Sequence, residues 1–136
     1  MARTEESFLD LGTNLDDIAE ATTVADGEYQ IQITDLGITE SEKGKYLIPK
    51  FDVVGVESSK TFTNPLRIPD DTMDAKEKQR RLRALKHFYK CFDIPGTGQI
   101  VFSEQIGKTG WAVLGETEDA KYGKQNRVVS FSVRKD

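Results

Sequence analysis

The sequence predicts a mostly β domain of five strands, with one helix between the third strand and the fourth. Apolar and polar side chains alternate over residues 28–38 with the period of a half-buried strand. Residues 82–92 instead place leucine and aromatic side chains on one arc at helical spacing. Strand-like residues return at 106–116 and 127–134, on either side of a polar stretch. This order of elements predicts the fold class.

Length and composition predict a single domain. The chain has 136 residues, of which 37% are hydrophobic and 31% are charged, which is enough for a core without disulfides. Cys91 has no partner for an internal disulfide, which favours a reducing, cytoplasmic setting. The sequence shows no apolar run of membrane-spanning length, and residues 1–12 show no signal-peptide pattern.

The strands follow one another at regular intervals. After the first strand, a polar turn is predicted at 39–45, then a second strand at 46–56 and a third at 61–68, interrupted by Pro65. The second strand is expected to place Leu47, Phe51 and Val53 on its core face, and Tyr46, Ile48, Lys50 and Asp52 on the other. The fifth strand is expected to place Val129, Phe131 and Val133 on one face.

A helix is predicted within residues 69–96, because signals mark both of its ends. Asp74 with Glu77 three residues later fits a capping box, and Pro95–Gly96 stops the helix. The side chains expected to face the core are Leu82, Leu85, Phe88, Tyr89 and Phe92. The opposite arc is basic and consists of Lys76, Arg80, Arg83, Lys86, His87 and Lys90.

Five strands with a helix between the third and the fourth is the order of the OB-fold, a small Greek-key barrel. OB-folds bind oligonucleotides on strands 2 and 3, and through the loops that join strands 1 to 2 and 4 to 5. In this chain those loops are predicted at 39–45 and 117–126, and both contain lysines. The fold prediction therefore assigns both basic loops to one groove.

Charge is distributed unevenly along the chain. Residues 1–25, the acidic arm, contain one Arg and six Asp or Glu, a net charge of −5. Residues 76–136 contain 13 Lys or Arg and 7 Asp or Glu, a net charge of +6. We interpret residues 1–25 as a flexible arm and residues 26–136 as the folded domain. The basic half favours a nucleic-acid or membrane-surface partner, and a solvated surface is the alternative.

The mixture of cations and aromatic rings predicts a single-stranded nucleic-acid site and no membrane contact. Lys and Arg follow the phosphates of a single strand, while aromatic rings stack on its bases. Stacking is expected from Tyr46 and Tyr122, with Trp111 and Phe62 as further candidates. For Tyr122 the alternative is a loop tyrosine held in place by Gly123, and for Trp111 alternation favours the core. The residues expected to contact phosphates are Lys43, Lys45, Lys50, Lys108, Lys121, Lys124 and Arg127.

The sequence predicts no catalytic set, no metal and no cofactor. The stretch GKTG at 107–110 lacks the preceding glycine of a phosphate-binding loop, since Phe102 stands at that position. One histidine and one cysteine leave no zinc site, and the strand ends lack the metal-binding carboxylate cluster of a nuclease. His87 is interpreted as an exposed surface residue and Cys91 as a buried thiol.

The stretch IGKTGWAVLGETEDAKYGKQNRVVSFSV, at 106–133, resembles the C-terminal strand pair of small phage-encoded single-stranded DNA-binding proteins. Residues 26–54 are similar to the first two strands of the same family. The resemblance implies an OB-fold that binds single-stranded DNA without sequence preference, in phage replication or recombination in the bacterial cytoplasm. The residues that match the family's pattern are Lys108, Tyr122, Gly123, Asn126 and Arg127.

The acidic segment departs from this family's pattern. Many members end in an acidic tail that recruits replication partners, whereas this sequence ends in SVRKD. We expect the acidic arm to take the tail's role, either recruiting replication or recombination proteins or competing with DNA for the groove; a disordered start with no such role is the alternative. The alternative function is a protein-interaction or virion-assembly module, since OB-folds host many functions. The oligomeric state stays open, with a homodimer as one alternative.

Overall fold

A computed structural model describes residues 7–133. Within that range six strands form one open antiparallel sheet, in the order β3-β2-β1-β5-β6 with β4 also paired to β2, and one α-helix crosses between β4 and β5. The predicted mostly β architecture with a single helix is confirmed. The elements are β1 (Gly27–Ser41), β2 (Gly44–Val53), β3 (Phe62–Thr63), β4 (Leu66–Arg67), α1 (Ala75–Cys91), β5 (Thr109–Asp119) and β6 (Gly123–Ser132), with short 3-10 turns at Leu15–Asp17 and Phe102–Gln105.

The predicted third strand is divided in two, so the described chain has six strands where the sequence predicted five. Thr63 of β3 pairs with Lys50, and Leu66 of β4 pairs with Leu47. Between these pairs the register sets Pro49 opposite Asn64 and Pro65 opposite Ile48. Neither proline has an N–H to donate, so the ladder is interrupted there.

Two β-bulges decide which side chains reach the core. Thr34 is an extra residue in β1, so the inward positions change from Ile33 to Leu36. In β6 the extra residue is Val129, which is exposed, and Phe131 points inward. The prediction that Val129, Phe131 and Val133 share one face is therefore wrong. Arg134, the last residue of the predicted fifth strand, lies outside the described residues.

The helix begins as predicted and packs on the sheet through aromatic rings. The side chain of Asp74 accepts a hydrogen bond from the Glu77 N–H at 2.8 Å, which caps the first turn. Phe88 and Phe92 are buried against Phe51 of β2, with ring centroids 6.2 and 5.4 Å away. The helix ends at Cys91, earlier than the predicted stop at 95–96, and Leu82, predicted to face the core, is exposed.

Both predicted loops are mostly strand, so the loop predictions at 39–45 and 117–126 are wrong. β1 and β2 continue pairing to Ser41 and Gly44, and β5 and β6 continue to Asp119 and Gly123. Only 42–43 and 120–122 remain as turns. These ribbons extend beyond the core and are polar on both faces, so they lack the apolar alternation that marks a strand.

The end of the acidic arm is attached to the domain. Thr22 donates its N–H to Ser58 and accepts from Lys60, both at 2.8 Å, which adds a short parallel bridge beside β3. Val24 is held by the side chain of Asn126 on β6. The residues from 7 to 21 are almost all exposed. No helix among residues 7–133 is long and apolar enough to cross a membrane.

Candidate nucleic-acid interface

The outer face of β2 presents a mixed row of aromatic, apolar and charged side chains. Leu47, Phe51 and Val53 are buried, as predicted, so the alternate residues point away from the core. Pairing then places Thr63 beside Lys50 on this outer face. We call the outer side of β2, β3 and β4 the outer face; its residues on β2 are Tyr46, Ile48, Lys50 and Asp52.

One end of the outer face is closed by an arginine that the sequence analysis did not single out. Arg67 of β4 pairs with Tyr46, and its guanidinium carbon lies 5.6 Å from the centre of the tyrosine ring. Gly44, at the turn of the β1–β2 hairpin, permits this position, because a Cβ there would overlap the guanidinium. The sequence signal for Arg67 is its place next to Leu66 in a predicted strand. Leu66 is buried, and neighbouring residues of an extended strand point to opposite faces, so Arg67 points outward.

Asp70 fixes the position of Arg67. Its carboxylate accepts from Arg67 at 2.9 Å and from both the hydroxyl and the N–H of Thr72. The Thr72 hydroxyl, followed by Arg67, lowers the pKa of Asp70 from 3.8 to about 2. The charged contact is therefore fully present above pH 3.8 and is lost as the pH falls through about 2. At neutral pH Arg67 is held over Tyr46.

The other end of the outer face lies against the β5–β6 hairpin. The Lys60 ammonium donates to the backbone carbonyl of Lys124 at 2.9 Å. Lys60 immediately precedes Thr61, whose hydroxyl donates to Asp52 on the outer face. The two hairpins therefore stand at opposite ends of the same face, the β1–β2 tip beside Arg67 and the β5–β6 ribbon beside Lys60.

The tip of the β5–β6 hairpin carries an exposed aromatic ring next to a cation. Tyr122 is 64% exposed, and the Lys121 ammonium lies 5.2 Å from the centre of its ring. The carboxylate of Asp119 accepts from the N–H groups of both residues, at 2.7 and 3.0 Å, and so shapes the turn. Lys43 occupies the turn of the other hairpin and is also exposed.

Several predicted lysines face acids. Lys45 pairs with Glu40 across the β1–β2 hairpin, and Lys50 pairs with Asp35. The Lys124 ammonium lies 3.9 Å from Glu116.

Arg127 lies opposite Gly115 and is exposed. Because Lys124 and Arg127 are three residues apart in an extended strand, they point to opposite faces of β6. The structure therefore does not bring all the predicted cations onto one surface.

Lys108 lies away from the outer face. Its ammonium donates to the backbone carbonyl of Asp93 at 3.1 Å, just after α1, and its own carbonyl accepts from Ile33 at 2.9 Å. Asp93 adopts a positive φ of 55°, so Lys108 stabilises the backbone at the helix end. In this arrangement the contacts of Lys108 are structural.

The two further stacking candidates are placed differently from each other. Phe62 is buried and packs on Phe51 with ring centroids 5.6 Å apart, so it does not reach a ligand. Trp111 is half-buried on the side of β5 opposite to the buried Ala112 and Leu114, so the expected core position is wrong. Its pairing with Gln30 puts it on the outer side of the sheet, next to the first half of β1.

Cys91 is a half-buried thiol at the end of α1. It donates to the Trp111 carbonyl at 3.2 Å, and burial raises the pKa of the thiol to about 11. The thiol is therefore neutral at physiological pH, which does not favour nucleophilic chemistry. Among residues 7–133, no group of three or more His, Cys, Asp or Glu is placed to hold a metal ion.

Asn126 is buried and anchors the acidic arm. Its side-chain oxygen accepts from the Val24 N–H at 2.9 Å, and its amide donates to the carbonyls of Val24 and Gly115 at 3.0 and 3.2 Å. Its place in the family-like pattern thus has a structural explanation within this chain.

Asn126→Ala is expected to lower the free energy of unfolding by about 1–3 kcal/mol, because it leaves buried backbone groups without partners. Urea denaturation followed by Trp111 fluorescence measures this. Gln125→Ala removes a neighbouring amide that bonds the exposed turn, and is expected to change stability by less than about 0.5 kcal/mol. Equal losses in the two variants would contradict the anchoring role.

A scan against protein-family models found no match to this chain, and a search of curated proteins found none either.

Proposed function

We propose that this chain is an OB-fold protein that binds single-stranded DNA on its outer face, without sequence preference and without catalysis. The observation that carries the proposal is the ring of Tyr46, which lies 5.6 Å from the guanidinium carbon of Arg67 and between two hairpins whose turns carry lysines. This combination supplies a stacking surface together with phosphate contacts, as single strands require.

The OB-fold part of the proposal rests on the order and sharing of the strands. β1 is long and bulged, and it pairs with β2 through one half and with β5 through the other. The helix lies between the third and fourth predicted strand positions. Phe62 of β3 and Phe131 of β6 belong to the two edge strands, and both pack on Phe51 of β2, at 5.6 and 6.2 Å, so the two edges of the open sheet meet around one core. These features match a partly open Greek-key barrel.

We assign different roles to the proposed site residues. Tyr46 stacks on a base in the middle of the path, and Tyr122 stacks on another at the hairpin tip. Lys50 and the turn lysines Lys43 and Lys121 contact phosphates. Because Asp35 and Asp52 offset part of the charge of the outer face, stacking must supply much of the affinity.

The biological role follows from the resemblance described above and is also a proposal. Single-stranded DNA exposed during phage replication or recombination in an infected bacterium is the expected ligand. Recruitment of replication proteins by the acidic arm, or competition of the arm with DNA, belongs to the same proposal. Deletion of residues 1–20, which removes every charge of the arm and keeps the contacts of Thr22 and Val24, should tighten DNA binding at low salt if the arm competes.

Titration of labelled oligo-dT with the full-length chain, followed by anisotropy at several salt concentrations, tests the proposal. We expect micromolar or tighter binding that is weaker for duplex of the same length. The logarithm of the binding constant should fall linearly with the logarithm of salt, by about 0.7 for each phosphate contact on a single strand.

Two variants, each lacking one cation, test whether the salt dependence comes from the outer face. Lys50→Ala should reduce the salt slope by about 0.7, because it removes one phosphate contact. Arg80→Ala removes an exposed cation from α1, away from the outer face, and should leave the slope unchanged. Absence of binding at low salt would contradict the proposed function and would favour the protein-interaction or virion-assembly alternative.

A further inference from the structure

The acidic arm carries large apolar side chains that its own chain leaves in solvent. Phe8, Leu15 and Ile18 are 87%, 63% and 59% exposed, and Leu11 is also exposed. Leu15 and Ile18 are three positions apart, the spacing of neighbouring anchors on one face of a helix. The charged residues between 7 and 21 are all acidic.

One turn of this segment is already formed. Leu15–Asp17 is a short 3-10 turn, and the side chain of Asn14 accepts from the Asp16 N–H at 3.0 Å as its N-cap. Asp16 and Asp17 lie in this turn, where acidic side chains favour helix formation. The segment from Asn14 to Ile18 is therefore a single capped turn that carries Leu15 and Ile18 at its two ends.

A groove of matching chemistry runs beside α1. It has a volume of about 810 Å³ and lies between the helix, the chain after it and the end of β6. Its apolar wall is formed by Leu82, Leu85, Tyr89, Ile94 and Val133. Lys86, Lys90 and Asp93 are the charged residues that line it, so its net charge is positive. Leu82, which the helical pattern assigned to the core, is exposed on this wall.

We propose that the groove beside α1 is the docking site for the acidic arm of a second copy of this chain. Leu15 and Ile18 fill the apolar wall, and the acids beside them face Lys86 and Lys90. In a two-fold symmetric dimer each copy gives one arm and receives one, so both exposed apolar surfaces are covered. The exchange of arms brings the acidic, apolar arm of each copy onto the basic, apolar groove of the other.

Geometry favours a second copy over the arm's own groove. Val24 is fixed at Asn126, and β6 covers about 20 Å from there to Val133 at the groove. Thr22 is also fixed to the domain, so the free chain from Ile18 to Thr22 spans at most about 14 Å when fully extended. Ile18 would therefore reach at most the near edge of its own groove, with no length left for a helical turn. The groove of a partner copy carries no such restriction.

Sedimentation velocity of the full-length chain without DNA tests this inference independently of the proposed function. We expect a dimer at micromolar concentration. The double variant Leu15→Asp/Ile18→Asp and the groove variant Leu82→Asp should each weaken dimerisation by about 30-fold or more, as loss of central anchors does. Val101→Asp places the same charge at an equally exposed apolar residue outside the groove and should leave the dimer intact.

Mixing the arm variant with the groove variant separates docking from misfolding. The first keeps an intact groove and the second keeps an intact arm, so the mixture should form heterodimers through one docked arm. A monomeric wild-type chain would overturn the inference, including the case of an arm bound to its own groove. A dimer that survives both variants, or that only the arm variant disrupts, would overturn it as well.

Discussion

Replacement of Phe51 with alanine is expected to lower the free energy of unfolding by about 3–5 kcal/mol. The ring is fully buried and packs on Phe62, Phe88, Phe92 and Phe131, with centroid distances from 5.4 to 6.2 Å. These partners come from β3, α1 with its end, and β6. A cavity at Phe51 therefore loosens the helix and both edges of the open sheet together.

Urea denaturation, followed by fluorescence and by circular dichroism, measures this loss. Val101→Ala is the control, because it shortens an apolar side chain at a 54% exposed position outside the proposed docking surfaces and is expected to leave stability unchanged. If Phe51→Ala cost less than about 1 kcal/mol, typical of an average substitution, Phe51 would not be the centre of the core.

The position of Phe51 could be predicted because β2 combines a strong period of two with a buried inner face. The same alternation correctly predicted that Tyr46 and Lys50 point outward. The helix was predictable for a different reason, since Asp74 is a local capping signal that acts within one turn. Where a local pattern decides the structure, the sequence alone is sufficient.

The bulges at Thr34 and Val129 could not be predicted from a single sequence. An extra residue changes the inward face of a strand, but it leaves the composition of the strand unchanged. Only the pairing partner reveals it. Trp111 was expected in the core for a related reason. Its alternation with Val113 shows that the two side chains share a face of β5, but only the pairing of β5 with β1 shows which face is buried.

The candidate site was predicted from residue types alone, and strand pairing explains why some of the predicted lysines are not free for a ligand. Lys45 and Lys50 were identified as cations, but the register sets Glu40 and Asp35 opposite them. Lys108 was identified by its place in a family-like stretch, whereas the fold uses its ammonium at the end of α1. Arg67 was missed because its partner Tyr46 is about 20 residues away in sequence and becomes a neighbour only through strand pairing.

Replacement of Tyr46 with alanine is expected to weaken binding of oligo-dT by about 5- to 150-fold, the loss of one stacked base. Anisotropy titration at low salt measures it. The slope against salt should stay unchanged, because Tyr46 contacts no phosphate in the proposed mode. This combination of a large affinity loss with a constant slope distinguishes a stacking residue from Lys50.

Tyr46→Phe is the matched control, since it keeps the ring under Arg67 and removes only the hydroxyl. It should bind oligo-dT as the wild type does. If the phenylalanine variant lost as much affinity as the alanine variant, the hydroxyl and not the ring face would be responsible, and stacking at Tyr46 would be wrong. If neither variant lost affinity while Tyr122→Ala did, the DNA path would follow the β5–β6 hairpin and leave the outer face of β2 uncovered.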